Sequence, residues 1–281
     1  MTTSNLPTYT LNDGNSLPVI GFGTYPLAGE DGTDAMVSAI QAGYRLLDSA
    51  VNYENEEQVG QAMRRSAIPR EQLHVTTKIP GRHHGYDEAR TSIRSSLVAL
   101  DVDYIDLHLI HWPNPSVGKY VEAWRALVEA REEGLVRSIG VSNFTAEHLK
   151  AVIDDSGVTP AVNQIELHPY FPQAEMLAVN AGLGIRTEAW SPMGKRQAPF
   201  DENAVREPAQ KYDVSPGQVI LRWHHQLGSL PIPKSATPQR QRDNLNVFGF
   251  ELTEAEMTGI TRLGKLDGRL FGGDPDTHEE M

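Results

Sequence analysis

The sequence contains no cysteine. Disulfides, thiolate metal centres and thiol nucleophiles are therefore excluded. Basic residues are scarce: 25 Lys and Arg stand against 37 Asp and Glu, a formal net charge of −12. A surface of that sign repels nucleic acid and anionic membranes, so neither is expected as a partner. Any anionic ligand needs a local basic patch. No apolar run approaches the ~20 residues of a membrane span. The opening MTTSNLPTYTLNDG has neither an apolar core nor a basic leader, so no signal peptide is expected there. These absences are compatible with a reducing cytosol, and the expectation is a cytoplasmic monomer.

What is present is a globular composition, 39% hydrophobic and 22% charged over 281 residues. No linker, low-complexity tract or repeat divides the chain, so 1–281 is read as one domain. Thr8–Leu11 and Leu17–Ile20 flank the turn cluster Asn12-Asp13-Gly14-Asn15, a hairpin pattern. Short apolar runs then alternate with amphipathic stretches. Strands are expected at Ile20–Gly23, Arg45–Asp48, His74–Lys78, Ile105–His111, Arg137–Val141, Ala161–Glu166, Gly184–Trp190 and Ser229–Pro233. Between them, Asp87–Leu100 and Tyr120–Arg131 carry apolar residues at helical spacing. Thr145 is an N-cap with His148 in the capping-box position, and Ser215-Pro216 opens another helix. Eight such alternations give an α/β protein with a parallel sheet, closed as a barrel or laid out doubly wound. The tail, Gly268–Met281, reads as a surface segment near one end.

Polar residues close three successive strands: Asp48 after RLL, Lys78 after HVTT, His111 after IDLHLI. Parallel barrels build active sites at that end of the strands. Tyr53 lies five residues beyond Asp48, in the adjoining loop. Singly, each has an ordinary reading as a turn cap, a solvated lysine, a packed tyrosine or a hydrogen-bonded core histidine. Jointly, they make a proton donor: an ammonium lowers the phenol's pKa of about 10, a carboxylate holds the ammonium, and an imidazole hydrogen-bonds a carbonyl oxygen.

The surrounding segments carry a resemblance. LLDSAVNYENEEQVG, VTTKIP, LIHWP, IGVSNF, VNQIELHP, the Trp-Ser-Pro of EAWSPMG and IPKSATPQRQRDN are similar, in order, to segments of the aldo-keto reductases. They run from about Leu11 to about Gly249, and the flavour is that of the bacterial group that includes 2,5-diketo-gluconate reductases. The resemblance implies a (β/α)₈ TIM barrel with an N-terminal β-hairpin. It implies an NADPH/NADP+-dependent reductase of small-molecule aldehydes or ketones. Tyr53 is then the general acid, completed by Asp48, Lys78 and His111.

The same resemblance places Ser142, Asn143 and Gln164 on the nicotinamide carboxamide and Trp190 on its ring. Lys234, Ser235 and Arg240 fall on the 2′-phosphate and Asn244 on adenine. Gly23, Thr24, Asp48, Ser191 and Met193 complete the cofactor set. Tyr25, Tyr53, His111 and Trp112 are the expected substrate contacts. A Rossmann fingerprint is absent, since Gly21-Phe22-Gly23 is followed by Pro26 rather than a third glycine. There are departures: Ile79-Pro80-Gly81 replaces a large aromatic, which leaves one pocket wall open, and Ala236 and Asp243 also differ. His83-His84 and His224-His225 lack a zinc spacing, so no metal is expected. Two other classes compete. A binding or regulatory protein on this fold would not need all four polar groups. A metal-dependent barrel hydrolase would need more ligands than Asp48 and His111.

Overall fold

The computed structural model describes residues 6–281; part of the opening segment, on which no signal peptide was expected, lies outside the described residues. A hairpin of β1 (Thr8–Thr10) and β2 (Ser16–Pro18) comes first. Its turn closes through Leu11 N–H to Asn15 O at 2.8 Å, with Gly14 at φ 87°, a conformation that favours glycine. The second strand starts one residue earlier than expected and ends at Pro18. Leu11 and Leu17 bury among Leu107, Leu109, Val162 and Leu230, the barrel's inner layer. Asn12 and Asn15 reach Pro160 O and Arg137 O, at the starts of two strands. The hairpin therefore plugs the N-terminal end of the barrel and leaves the C-terminal end as the mouth.

The barrel strands are β3 (Phe22–Gly23), β4 (Leu46–Asp48), β5 (His74–Ile79), β6 (Ile105–Ile110), β7 (Val136–Ser142), β8 (Val162–Glu166), β9 (Arg186–Trp190) and β10 (Leu230–Pro231). All pair in parallel, each with its neighbour in chain order. A doubly wound sheet would reverse that order. The edges meet instead: Gly21 N–H donates to Pro231 O at 3.0 Å and Gly23 N–H to Pro233 O at 3.1 Å. The fold is the (β/α)₈ barrel. β10 is two residues long rather than five because Pro231 and Pro233 have no N–H to donate, so their carbonyls carry the closure.

Ten helices are described: α1 (Gly29–Ala42), α2 (Glu56–Arg65), α3 (Tyr86–Leu100), α4 (Tyr120–Glu132), α5 (Ala146–Ser156), α6 (Ala174–Gly182), α7 (Asn203–Tyr212), α8 (Pro216–Gln226), α9 (Pro238–Leu245) and α10 (Glu254–Thr261). Ala89, Ile93 and Leu100 form the buried stripe of α3, and Ala123, Trp124 and Leu127 that of α4; all but Leu100 cluster with Ile110 and Ile139, and Leu100 joins Val75 and Ile105. α5 has its capping box, with the His148 ring in the role usually given to Glu or Gln. Ser215 and Gln218 cap α8 reciprocally. No described helix is long and apolar enough to cross a membrane.

Candidate active site

The register of β4, β5 and β6 turns Asp48 and Lys78 toward one point at the mouth. Lys78 Nζ donates to both Asp48 carboxylate oxygens, at 2.9 and 2.8 Å, and to Ser49 O at 2.8 Å. Its side chain is fully buried. An ammonium loses several kcal/mol of hydration on burial, and only a full set of acceptors offsets this. Tyr53 closes a short 3₁₀ turn after β4, and its hydroxyl lies 3.5 Å from Lys78 Nζ. His111 follows β6, anchored by its N–H to Ile79 O at 3.0 Å, and meets the Tyr53 ring edge-on at 5.7 Å. The four residues expected to act together are in one place.

Their protonation differs in one respect from the expectation. Burial pushes the Tyr53 phenol up to about 12; Lys78 pulls it down, but Asp48 and Glu280 oppose that pull. The ammonium's charge is largely cancelled by Asp48, so Tyr53 keeps its proton. Burial acts against the Lys78 charge as well, yet Asp48, Tyr53 and Glu188 together hold its pKa above the usual lysine value. Burial, then Lys78, drives His111 well below the usual histidine value, so its imidazole is neutral.

A cavity of about 1200 Å³ opens above these groups. Gly23, Thr24, Tyr25, Asp48, Tyr53, His111, Trp112, Ser142, Asn143, Gln164, Trp190, Ser191, Met193, Lys234 and Arg240 line it. Lys78 lies beneath it. Ser235 and Asn244 are buried and do not line it: Ser235 Oγ accepts from Thr237 N–H at 3.1 Å, and Asn244 sits within α9. Thr24 is buried and binds Asp48 O through both its N–H and its hydroxyl. Ser142, Asn143 and Gln164 form a connected set. Ser142 Oγ donates to Gln164 O at 2.8 Å, and Asn143 Nδ2 donates to His111 O and Ser142 Oγ, each at 3.0 Å. Trp190 Nε1 donates to Asn143 Oδ1 at 2.8 Å. Asn143 and Ser191 hold positive φ, 62° and 48°, a conformation asparagine tolerates better than serine. Tyr25 stands exposed at the rim, its ring 5.1 Å from that of Tyr53.

Two features were not legible beforehand. The first is Glu188 on β9, fully buried, which accepts from Gln164 Nε2 at 2.9 Å while the same amide donates to Asp48 at 2.8 Å. Burial, then Asp48, raises Glu188 to about 8, so it carries a proton at neutral pH. An acid inside the strand run RTEAW was the available signal. The second is the tail, a surface segment at one end as expected, but at the mouth itself. It crosses the mouth because aromatic groups and orphan polar groups there receive it. Leu270 N–H donates to Glu166 Oε1 at 2.7 Å, Phe271 stacks on Trp190 at 5.7 Å and 25°, and His278 packs on Trp112 at 4.3 Å. Glu280 O accepts from Gly81 N–H at 3.1 Å and from Asn114 Nδ2 at 2.7 Å. The wall expected to stand open at Ile79-Pro80-Gly81 is thereby filled. A Cβ at residue 81 would collide with Asn114 Nδ2 and Glu280 O, so glycine is what admits the tail. Of the paired histidines, His224 bonds Pro192 O and Ser229 Oγ, and His83 bonds Ser92 Oγ.

Known proteins resemble the chain along nearly its whole length. Residues 19–265 match the model of the aldo/keto reductase family. The chain is 59% identical to 2,5-diketo-D-gluconic acid reductase B of Corynebacterium sp. (strain SHS752001), over 99% of each. It is 43% identical to methylglyoxal reductase DkgA of Escherichia coli (strain K12), over 95% of this chain and 96% of that one. Among solved structures, Gox0644 in its apo form superposes with a TM-score of 0.93 at 40% identity, covering 98% of this chain and 99% of that one. An aldo-keto reductase of Bombyx mori in complex with NADP gives 0.87 at 37%, covering 92% and 93%. With the family model spanning most of the sequence and relatives covering nearly all of it, the chain belongs to the aldo/keto reductase family.

Proposed function

We propose that the protein reduces aldehydes or ketones to alcohols with NADPH, working as a single barrel domain. The observation that carries this reading is the convergence of Tyr53, Lys78, Asp48 and His111 at the base of one open cavity. When bound, NADPH supplies a hydride to the carbonyl carbon. The residues at the mouth fit such a cofactor. Gln164 Oε1 has no donor among the described residues, and Asn143 Oδ1 and Ser142 Oγ keep spare acceptor capacity for a primary amide. The Trp190 ring is half-buried and faces the cavity. Lys234 and Arg240, both exposed, flank the N-terminus of α9, where helix N–H groups favour a phosphate.

Tyr53 is the proton donor. As hydride reaches carbon, negative charge grows on the carbonyl oxygen, and a phenol that has kept its proton gives it up there. Lys78 then faces the phenolate that forms, which makes the transfer favourable only as charge develops. Neutral His111 orients the carbonyl by hydrogen bond. Asp48 fixes the Lys78 ammonium. The balance is one carbonyl, one hydride and one proton to one alcohol. The relative from Escherichia coli is named for methylglyoxal, which makes that aldehyde the first substrate to try. Consumption of NADPH with methylglyoxal and a panel of carbonyls tests the reading. No consumption with any member would overturn it.

A further inference from the structure

The tail does more than fill a wall: it brings a carboxylate to the carbonyl end of the cavity. Glu280 Oε1 accepts from Asn52 Nδ2 at 3.0 Å, while Oε2 lies 3.0 Å from His111 Nδ1 without hydrogen-bond alignment. Both Glu280 and Met281 line the cavity. The placement is held on two sides. Gly81 and Asn114 grip the Glu280 backbone, and Asn52 grips its side chain while its own Oδ1 is engaged by Arg82. Two cations act on Glu280: Lys78, already paired with Asp48 at 2.8 Å, and Arg82, engaged with Asn52 Oδ1.

We propose that Glu280 is a specificity-determining residue that rejects substrates carrying a carboxylate next to the reacting carbonyl. The inference rests on the reductase reading above. With the carbonyl oxygen at Tyr53 and His111, the carboxylate of a 2-oxo acid is brought toward Glu280, whose Oε2 lies 3.0 Å from His111 Nδ1, like charge against like. For two such charges about 5 Å apart the penalty runs from about fourfold with full water screening to about a hundredfold or more at protein-like screening. An uncharged neighbour, above all a hydroxyl that donates to Glu280, meets no such penalty. A carboxylate further along the substrate reaches the rim instead, where Lys195 and Arg196 are exposed. The favoured class is therefore carbonyls flanked by uncharged carbons, with any acid group remote from the reacting centre.

Pyruvate and ethyl pyruvate present the same ketone with and without the charge. The ratio of kcat/KM for pyruvate over ethyl pyruvate should rise about tenfold or more in Glu280→Gln. It should rise as well in Gly81→Ala, which cannot receive the tail. Ratios within about twofold of the wild type in both variants, each folded by circular dichroism, would overturn the proposal. A second arm needs no turnover. Oxamate, an unreactive pyruvate isostere, is titrated into the NADP+-loaded protein by tryptophan fluorescence. Tighter oxamate binding in Glu280→Gln supports the role, and unchanged affinity overturns it. A wild type that reduces no carbonyl defeats the reductase reading alone, because the oxamate arm still decides the role of Glu280.

Discussion

The two ends of the cavity handle charge in opposite ways. At its base, Lys78 is fully buried and saturated by Asp48 and Ser49, and Gln164 ties Asp48 to a protonated Glu188. At its rim, Lys234 and Arg240 are exposed and form no salt bridge among those of the described residues. The base is a low-dielectric site whose groups compensate one another before any ligand arrives. The rim is solvated and keeps its charge available. Electrostatics inside is strong and fixed; outside it is weak, additive and screened. A reaction centre is served by the first arrangement and an anion-binding site by the second.

That contrast breaks most visibly at the base. Lys78→Met removes the group that would face a Tyr53 phenolate and leaves the Asp48 carboxylate buried without its ion pair. Reduction should fall by about 10²–10⁴-fold. Stability should fall by roughly 3–5 kcal/mol, because an uncompensated buried charge remains. Turnover assays with urea unfolding check both; a loss of one without the other would mean that base and fold are not coupled as described. Tyr53→Phe removes only the proton donor. Turnover should drop by a similar factor of about 10²–10⁴ while NADPH still binds and stability stays within about 1 kcal/mol. Near-normal turnover would remove Tyr53 from its assigned role.

At the rim the effects are smaller and selective. Arg240→Ala should weaken NADPH by about tenfold, one charge-assisted hydrogen bond less a solvent discount, and leave NADH nearly unchanged. Equal losses for both cofactors would show that the phosphate lies elsewhere. Raising salt should reproduce this trend in milder form, weakening NADPH binding severalfold as the Debye length shrinks from about 10 Å to about 3 Å. The turnover of the saturated enzyme should stay constant, since the base is shielded. A thermal effect concerns Glu188. Its folded pKa of about 8 lies above that of an unfolded glutamate, so the stability tied to its proton is complete below about pH 4 and lost as pH rises through about 8. Glu188→Gln should therefore flatten the fall in melting temperature between about pH 5 and pH 8, a shift of about 2–4 °C for each kcal/mol involved. An unchanged slope would mean that another group carries that proton linkage.

How much of this the sequence disclosed follows from how far apart the partners lie. Asp48, Lys78 and His111 each close a short apolar run, so their common end of the barrel could be read from strand polarity alone. The hairpin, the capping box of α5 and the helical stripes of α3 and α4 are likewise local patterns. Glu188 has no such marker, because which way it points depends on the register of β9 against β8, and this is set by pairing. The tail was harder still. Glu280 reaches Asn52 across 228 positions and Asn114 across 166, and no periodicity in Gly268–Met281 announces either contact. The same Gly81 that suggested a missing wall is what lets the tail approach.

The closure between β3 and β10 has a kinetic side. β5 with β6 and β6 with β7 share longer ladders, but here proline carbonyls only accept, and Gly21 and Gly23 supply the N–H groups. A seam made of one-way bonds is the place where a closed cylinder parts with the least disruption. Amide hydrogens of Gly21 and Gly23 are then expected to trade with solvent deuterium ahead of those of β6 and β7, which lie across the barrel. Gly23 and Lys234 border the seam on either side and both line the cavity. A ligand spanning them would act as a rivet, and slowed exchange at those two glycines would report its arrival from inside the backbone.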